Sequence, residues 1–225
     1  QKNRQNNFVT IVVGITGGIG SGKSTLSSFL KKKGYSVHDS DNEVSLIYKK
    51  PPTEFKKILI KAGLKQAIKK NHIDKKIIIL KLFEDKKTKN KIEKYLHFEV
   101  KKKRNIFIKK NKAKNKNIIF LDIPLLFENN LDSFFTKIIC IVSKKEIRQK
   151  RTEKSKKISK KIFTQIIKNQ TSDRERKKRA DYLIVNNKSF GVHEIELRIP
   201  ERCNINFVDS NDRLRIDSAT CQSID

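Results

Sequence analysis

Apolar residues fall along this chain in two rhythms. Short unbroken runs, "FVTIVVGI" from Phe8, "YSVHDSD" from Tyr35, "NIIFLDI" from Asn117, "KIICIV" from Lys137 and "DYLIV" from Asp181, are rich in β-branched residues and bounded by polar or glycine positions. Such runs predict strands, and the continuous ones predict strands buried on both faces of a parallel sheet. Between them apolar residues recur every three or four positions, the spacing of one helix face. Leu26, Phe29 and Leu30 share such a face in "STLSSFLKKKG", which stops on Gly34, a residue suited to the position just past a helix end. From Asn42 to about Lys116 the same spacing returns in Ile77, Leu80 and Phe83 and again in Ile92, Tyr95 and Leu96, with breaks at Pro51-Pro52 and near "NHID". "EIRQKRTEKSKKISKKIFTQIIKNQ" reads as one more basic, amphipathic helical stretch. Five strands with helical crossovers predict an α/β fold with a doubly wound, parallel five-stranded sheet. A helical lobe over residues 42–116 is expected between the second and third strands, and a helical lid over 146–172. The 225 residues are enough for one such domain, placed at 8–187.

Composition changes this picture only at its edges. Lys and Arg number 53 against 24 Asp and Glu, a formal charge of +29, which attracts anions, phosphorylated metabolites included. The excess is almost all Lys and travels with many Asn and Ile, whose codons are rich in A and T, so genome base composition explains it and no specific nucleic-acid partner is expected. Three cysteines, with no CxxC pair, exclude a disulfide framework and a zinc site, and Cys140 inside "KIICIV" reads as a small buried hydrophobe. The apolar stretch from Phe8 to Ile15 is too short to span a bilayer and runs straight into glycines rather than a cleavage site. No membrane partner is expected, and the setting is expected to be cytoplasmic. The chain opens at Gln1 and holds no Met, so its true start is expected upstream. Residues 189–225 contain no Lys, seven acidic residues and two of the three cysteines, a change of texture that leaves this tail unassigned.

The chemistry begins in "GITGGIGSGKST", where Gly17 to Ser24 match G-x-x-x-x-G-K-[ST] between a strand and a helix. Glycines such as Gly18, Gly20 and Gly22, with Ser21, let successive backbone N–H groups turn toward phosphate oxygens, and the helix opening at Lys23, Ser24 and Thr25 adds its positive end. Lys23 is expected on the β- and γ-phosphates of ATP, and the Ser24 hydroxyl on Mg2+. No G-x-G-x-x-G register fits, so a dinucleotide fingerprint is excluded. On the acceptor side the second strand ends in "HDSDNEVS". Extended spacing would put Asp39 and Asp41 on one side of the chain at the carboxyl edge of the sheet, where ligands of open α/β sheets bind. A carboxylate there could take a proton from an acceptor hydroxyl. Equally, Ser40 and Glu43 form a capping box, with Asp41 serving the helix dipole; spacing leaves the two readings level.

The segments "TGGIGSGKST", "VHDSD", "HIDKKIIILKLF", "YLHFE", "DIPLLFENNL", "IIKNQ" and "RADYLIVNN" together resemble the dephospho-CoA kinase family in order and approximate spacing, over about residues 8–187. The resemblance implies transfer of the γ-phosphoryl group of ATP to the ribose 3′-hydroxyl of dephospho-CoA, with Asp41 as the base at that hydroxyl. It also implies Arg151 as a lid arginine on the ATP phosphates, His97 near the acceptor, and Lys75 where the family commonly has an acceptor-side Arg. Asp122, at the end of the third strand, is a candidate for Mg2+ through water; otherwise it caps whatever follows Pro124. Ser45 and Ser155 stand where the family usually carries arginines, and Phe98 replaces the Pro after His97. Oligomeric state is not legible. A nucleoside or nucleoside monophosphate kinase shares the same loop and core, and a basic RNA-binding NTPase is the alternative of a different class.

Overall fold

The structure, a computed structural model, describes residues 9–156, 158–187 and 196–198, with the side chains of 80–84, 156 and 196–198 left aside. In chain order its elements are β1 (Ile11–Gly17), α1 (Lys23–Lys32), β2 (Ser36–Asp39), α2 (Ser40–Lys49), α3 (Thr53–Lys61), α4 (Lys75–Glu84) and α5 (Lys86–Ala113). They continue with β3 (Ile118–Asp122), β4 (Lys137–Val142), α6 (Lys145–Lys156), α7 (Lys160–Lys168), α8 (Asp173–Arg179), β5 (Tyr182–Val185) and β6 (Glu196–Arg198). Two compact units result, one of Gly34–Ile123 with the described residues before Val12, the other of Val12–Lys33 with the residues from Pro124 onward.

In the first unit β2 and β3 pair in parallel, with Asp39 opposite Asp122 at their carboxyl ends. The long stretch between them is helical, as its periodicity requires. Phe55 and Leu59 of α3, Ile78 of α4, and Ile92 and Leu96 of α5 close a core with Ile47 and Tyr48 of α2. Phe55 stacks on Tyr95 at 5.2 Å between ring centres and meets Tyr48 edge-on at 5.5 Å, so aromatic contact fixes the helices' relative rotation as well as their spacing. α5 starts cleanly because the Asp85 carboxylate accepts from the Thr88 N–H at 3.0 Å. Leu80 and Phe83, expected on the same faces, lie outside the described side chains.

In the second unit β1 pairs with β4 and β4 with β5, all parallel. β1 is buried along nearly its whole length, as a continuous β-branched run predicts for a central strand. α1 ends at a C-cap Lys33, and Gly34 follows at φ 85°, the left-handed turn anticipated for it. Two local expectations are corrected. The basic stretch 146–170 is two helices, because the Ser159 hydroxyl accepts from the Ile162 N–H and starts α7 afresh; α8 then follows as a third. Residues 124–130 are turns, leaving no helix there for Asp122 to cap. Within the unassigned tail, β6 pairs antiparallel with β5; Cys203 and Cys221 lie outside the described residues.

Cys140 is wholly buried in β4, and that burial pushes its thiol up to about 12. At pH 8 only about one thiol in 10^4 would then be ionised, and the thiolate is the reactive form. Alkylation of the native protein followed by peptide mapping should leave Cys140 unmodified, and alkylation in denaturant should label it. No helix among the described residues is long and apolar enough to cross a membrane.

Candidate active site

The glycine loop lies in the second unit, between the buried end of β1 and the first turn of α1. Gly22 occupies the N-cap at φ 109° and Gly20 turns at φ 74°; these are conformations that a Cβ strongly disfavours. They hand the chain into a helix whose first turn carries no acidic side chain, so nothing competes with an incoming anion for the positive end. Ser24 and Thr25 are exposed in that turn. The Lys23 ammonium folds back and donates to the Gly17 carbonyl at 2.8 Å, holding its charge beside the loop.

Around the loop the structure assembles side chains that local pattern did not single out. Asn186, just past β5, donates from Nδ2 to the Ser21 carbonyl at 2.9 Å. Arg151 of α6 donates to both the main-chain and side-chain oxygens of Asn186, each at 3.1 Å. The expected lid arginine thus braces the residue that braces the loop. Gln170 accepts from the Ile19 N–H at 3.2 Å. Two buried arginines complete the surroundings: Arg148 donates to Asp173 at 2.9 Å, and Arg176 donates to Asp173 at 3.1 Å and to Glu128 at 3.0 Å. Burial pushes the Glu128 carboxyl up, but hydrogen bonds from backbone N–H groups, Thr171 among them, and the Arg176 charge outweigh it and hold the group below its ordinary range.

Sequence reasoning quoted Glu128, Gln170 and Asn186 only within motif strings, and it missed Arg148, Asp173 and Arg176. One signal was present. In a chain whose cations are mostly Lys, Arg148, Arg176 and Arg104 are buried and Arg151 and Arg179 half-buried; a planar fork with several donors suits burial beside carboxylates better than an ammonium does.

The remaining candidates belong to the first unit. Asp39 closes β2 and caps α2, its carboxylate accepting from the Asn42 N–H at 2.9 Å. The cap is therefore Asp39 and not Ser40, which is already the first helical residue. Asp41 is exposed in the first turn of α2, so extended spacing does not continue from Asp39 to Asp41. Asp122, beside Asp39 in the ladder, is buried. The Lys75 ammonium sits 4.7 Å from the Tyr48 ring centre, and His97 is exposed on α5. A cleft of about 470 Å³ opens among Lys49, Lys50, Lys56, Lys70, Pro51 and Asn71, a concentration of positive charge open to anions. Among the described residues no three His, Cys, Asp or Glu side chains converge in a way that could hold a metal.

A strand, a glycine turn at positive φ, and a helix opened by Lys and Ser define a P-loop phosphotransferase. Solved structures agree: dephospho-CoA kinase from Campylobacter jejuni superposes with a TM-score of 0.61 at 28% identity, covering 81% of this chain and 90% of that one. A Thermus thermophilus protein gives 0.66 at 27% identity, covering 80% and 90%. These neighbours share the α/β fold with a five-stranded parallel sheet. The family model for dephospho-CoA kinase matches residues 11–191, and the chain belongs to that family. The dephospho-CoA kinase of Fusobacterium nucleatum is 36% identical over 177 residues, 79% of this chain and 90% of the relative. That of Rhizobium meliloti is 29% identical over 188 residues, 84% and 95%.

Proposed function

We infer that this chain phosphorylates the ribose 3′-hydroxyl of dephospho-CoA with ATP, giving coenzyme A and ADP. The observation that carries the reading is family membership across nearly the whole described chain, joined to a phosphate loop whose lysine and helix terminus are in place. Lys23 offsets charge on the transferring phosphoryl group, and the amides of Gly18, Gly20, Ser21, Gly22, Lys23, Ser24 and Thr25 hold the β- and γ-phosphates. Asp41 orients the acceptor hydroxyl and accepts its proton late, since the transition state is loose and asks little of the nucleophile. Arg151 contributes through Asn186 to the loop and lends its charge to the nucleotide. His97 and Lys75 belong to an acceptor-binding lobe over 42–116, and 146–172 forms the lid.

Mg2+ suits the exposed Ser24 hydroxyl at the first turn of α1, an oxygen ligand of the kind this ion takes beside phosphate oxygens. Asp122, buried at the end of β3, is carried as a separate carboxylate candidate. When bound the ion would neutralise charge across the β- and γ-phosphates. The setting proposed is cytoplasmic, with dephospho-CoA as the small-molecule partner and neither nucleic acid nor membrane required.

Labelled ATP offered with dephospho-CoA, nucleosides or nucleoside monophosphates is the direct test. Label should enter dephospho-CoA at the 3′-position at least about 100-fold faster than any nucleoside acceptor, a ratio that loss of buried polar pairing readily produces. Brisk labelling of a nucleotide acceptor beside an inert dephospho-CoA would sink the assignment.

A further inference from the structure

Gly18 and Gly20 do more in this fold than face a phosphate. A Cβ added at Gly18 would meet Arg148 Nη1 and come within 3.0 Å of Arg176 Nη1. A Cβ at Gly20 would come within 2.6 Å of the Arg148 carbonyl oxygen and 3.0 Å of Thr152 Cγ2. Arg148 therefore meets the loop twice, with its guanidinium at Gly18 and its main chain at Gly20. The guanidinium is pinned from the other side by Asp173, which also binds Arg176, and Arg176 in turn reaches Glu128. Between the two contacts, the Ile19 N–H is tied to Gln170, whose oxygen also receives Arg176 at 3.4 Å. Burying two arginines against two partly exposed carboxylates contributes little net stability compared with apolar packing, because desolvation cancels much of the attraction. What such a network supplies is a single geometry, and here that geometry is imposed on the loop.

We propose that Arg148 is a positioning residue of the phosphate loop: held by Asp173, it sets the height of the Gly18–Gly20 arm and with it the spacing of the amides that receive the nucleotide's phosphates. It acts through the loop and not on the substrate, and the proposal rests on the reading of the loop as an ATP site. A planar fork is required, since one edge must bind Asp173 while another lies against Gly18; a lysine has one nitrogen for both tasks.

The test compares Arg148→Met and Arg148→Lys with the parent in three measurements: ATP affinity by calorimetry without acceptor, kcat and KM in dephospho-CoA turnover, and the thermal midpoint. Asp173 keeps Arg176 in either variant, so the fold should stand. For Arg148→Met, kcat should fall about 10- to 100-fold, as a small misplacement of gripping groups does, and ATP affinity several-fold, while the KM for dephospho-CoA stays within about two-fold. Arg148→Lys should recover only part of the kcat. Unchanged ATP affinity and kcat, with or without a lower midpoint, would reduce Arg148 to packing and overturn the proposal. Should Arg148→Met not fold, Gly18→Ala probes the same contact from the loop side, and Gly18→Ala/Arg148→Ala should lose less than the two single changes combined; strict additivity would overturn the proposal. Because ATP binding is read without acceptor, a parent that binds ATP yet ignores dephospho-CoA would refute the kinase assignment while leaving the positioning role to be judged on affinity alone.

Discussion

Lys23→Ala is expected to reduce kcat for dephospho-CoA phosphorylation by roughly 10^3-fold or more, the upper range for loss of one preorganised electrostatic contact, because the group removed carries a full charge. The loss should fall mainly on kcat, since the ammonium's contribution grows as charge shifts onto the oxygens of the leaving phosphate. Main-chain amides and the end of α1 remain, so ATP affinity should drop by about 10-fold or less, in line with one charge-assisted hydrogen bond among several. Lys23 also donates to the Gly17 carbonyl, so a small fall in thermal midpoint is part of the expectation. Steady-state turnover and calorimetric ATP titration on the same preparation separate the two effects. A variant with the parent's kcat would show that the loop holds phosphate without assisting its transfer.

Asp41→Asn is expected to lower kcat by about 10^2- to 10^3-fold, the range for removal of a positioned proton acceptor, with ATP affinity unchanged. The structure makes this substitution a clean one. α2 is capped by Asp39, so Asn at position 41 leaves the start of the helix intact and removes only a favourable charge from its first turn, about 0.3–1 kcal/mol. Asp41 is exposed, so no buried partner is orphaned. The measurement is ADP release dependent on dephospho-CoA, set beside an ATP titration and a melting curve. Full turnover in Asp41→Asn would remove the proposed base and turn attention to other groups near the acceptor hydroxyl.

The difference between Asp39 and Asp41 shows where the sequence was legible and where it was not. Strands β1 to β5 and the glycine loop follow from runs of neighbouring residues, and local chemistry decides them. The boundary between β2 and α2 turns on a single residue: if Ser40 caps, Asp39 is free, and if Asp39 caps, Ser40 is helical. Both options satisfy the same spacing rules, and the ladder pairing of Asp39 with Asp122 fixes the end of the strand. Arg148 and Arg176 illustrate a second limit. In the string they sit among lysines on basic helices, and charge periodicity assigns them to water. Glu128, 48 residues from Arg176, and Asp173, 25 residues from Arg148, bring them inside, and separations of that size leave no periodic trace. Ser159 was readable in principle, as a capping residue inside a basic run, yet the surrounding helical texture hid it. β6 is three residues long and exists through its register with β5, a pairing no short window contains.

The meeting of Gly20 with α6 bears on how this protein can drift. What stands opposite Gly20 is a peptide carbonyl, that of Arg148, and carbonyls are common to every amino acid. Exchanging residue 148 for something smaller would open space at Gly18 but none at Gly20. A lineage that acquired a side chain at position 20 would have to reroute a helix to accommodate it, whereas one that altered position 18 would need only a second substitution. The two glycines therefore differ in how many mutational steps separate them from a tolerated alternative.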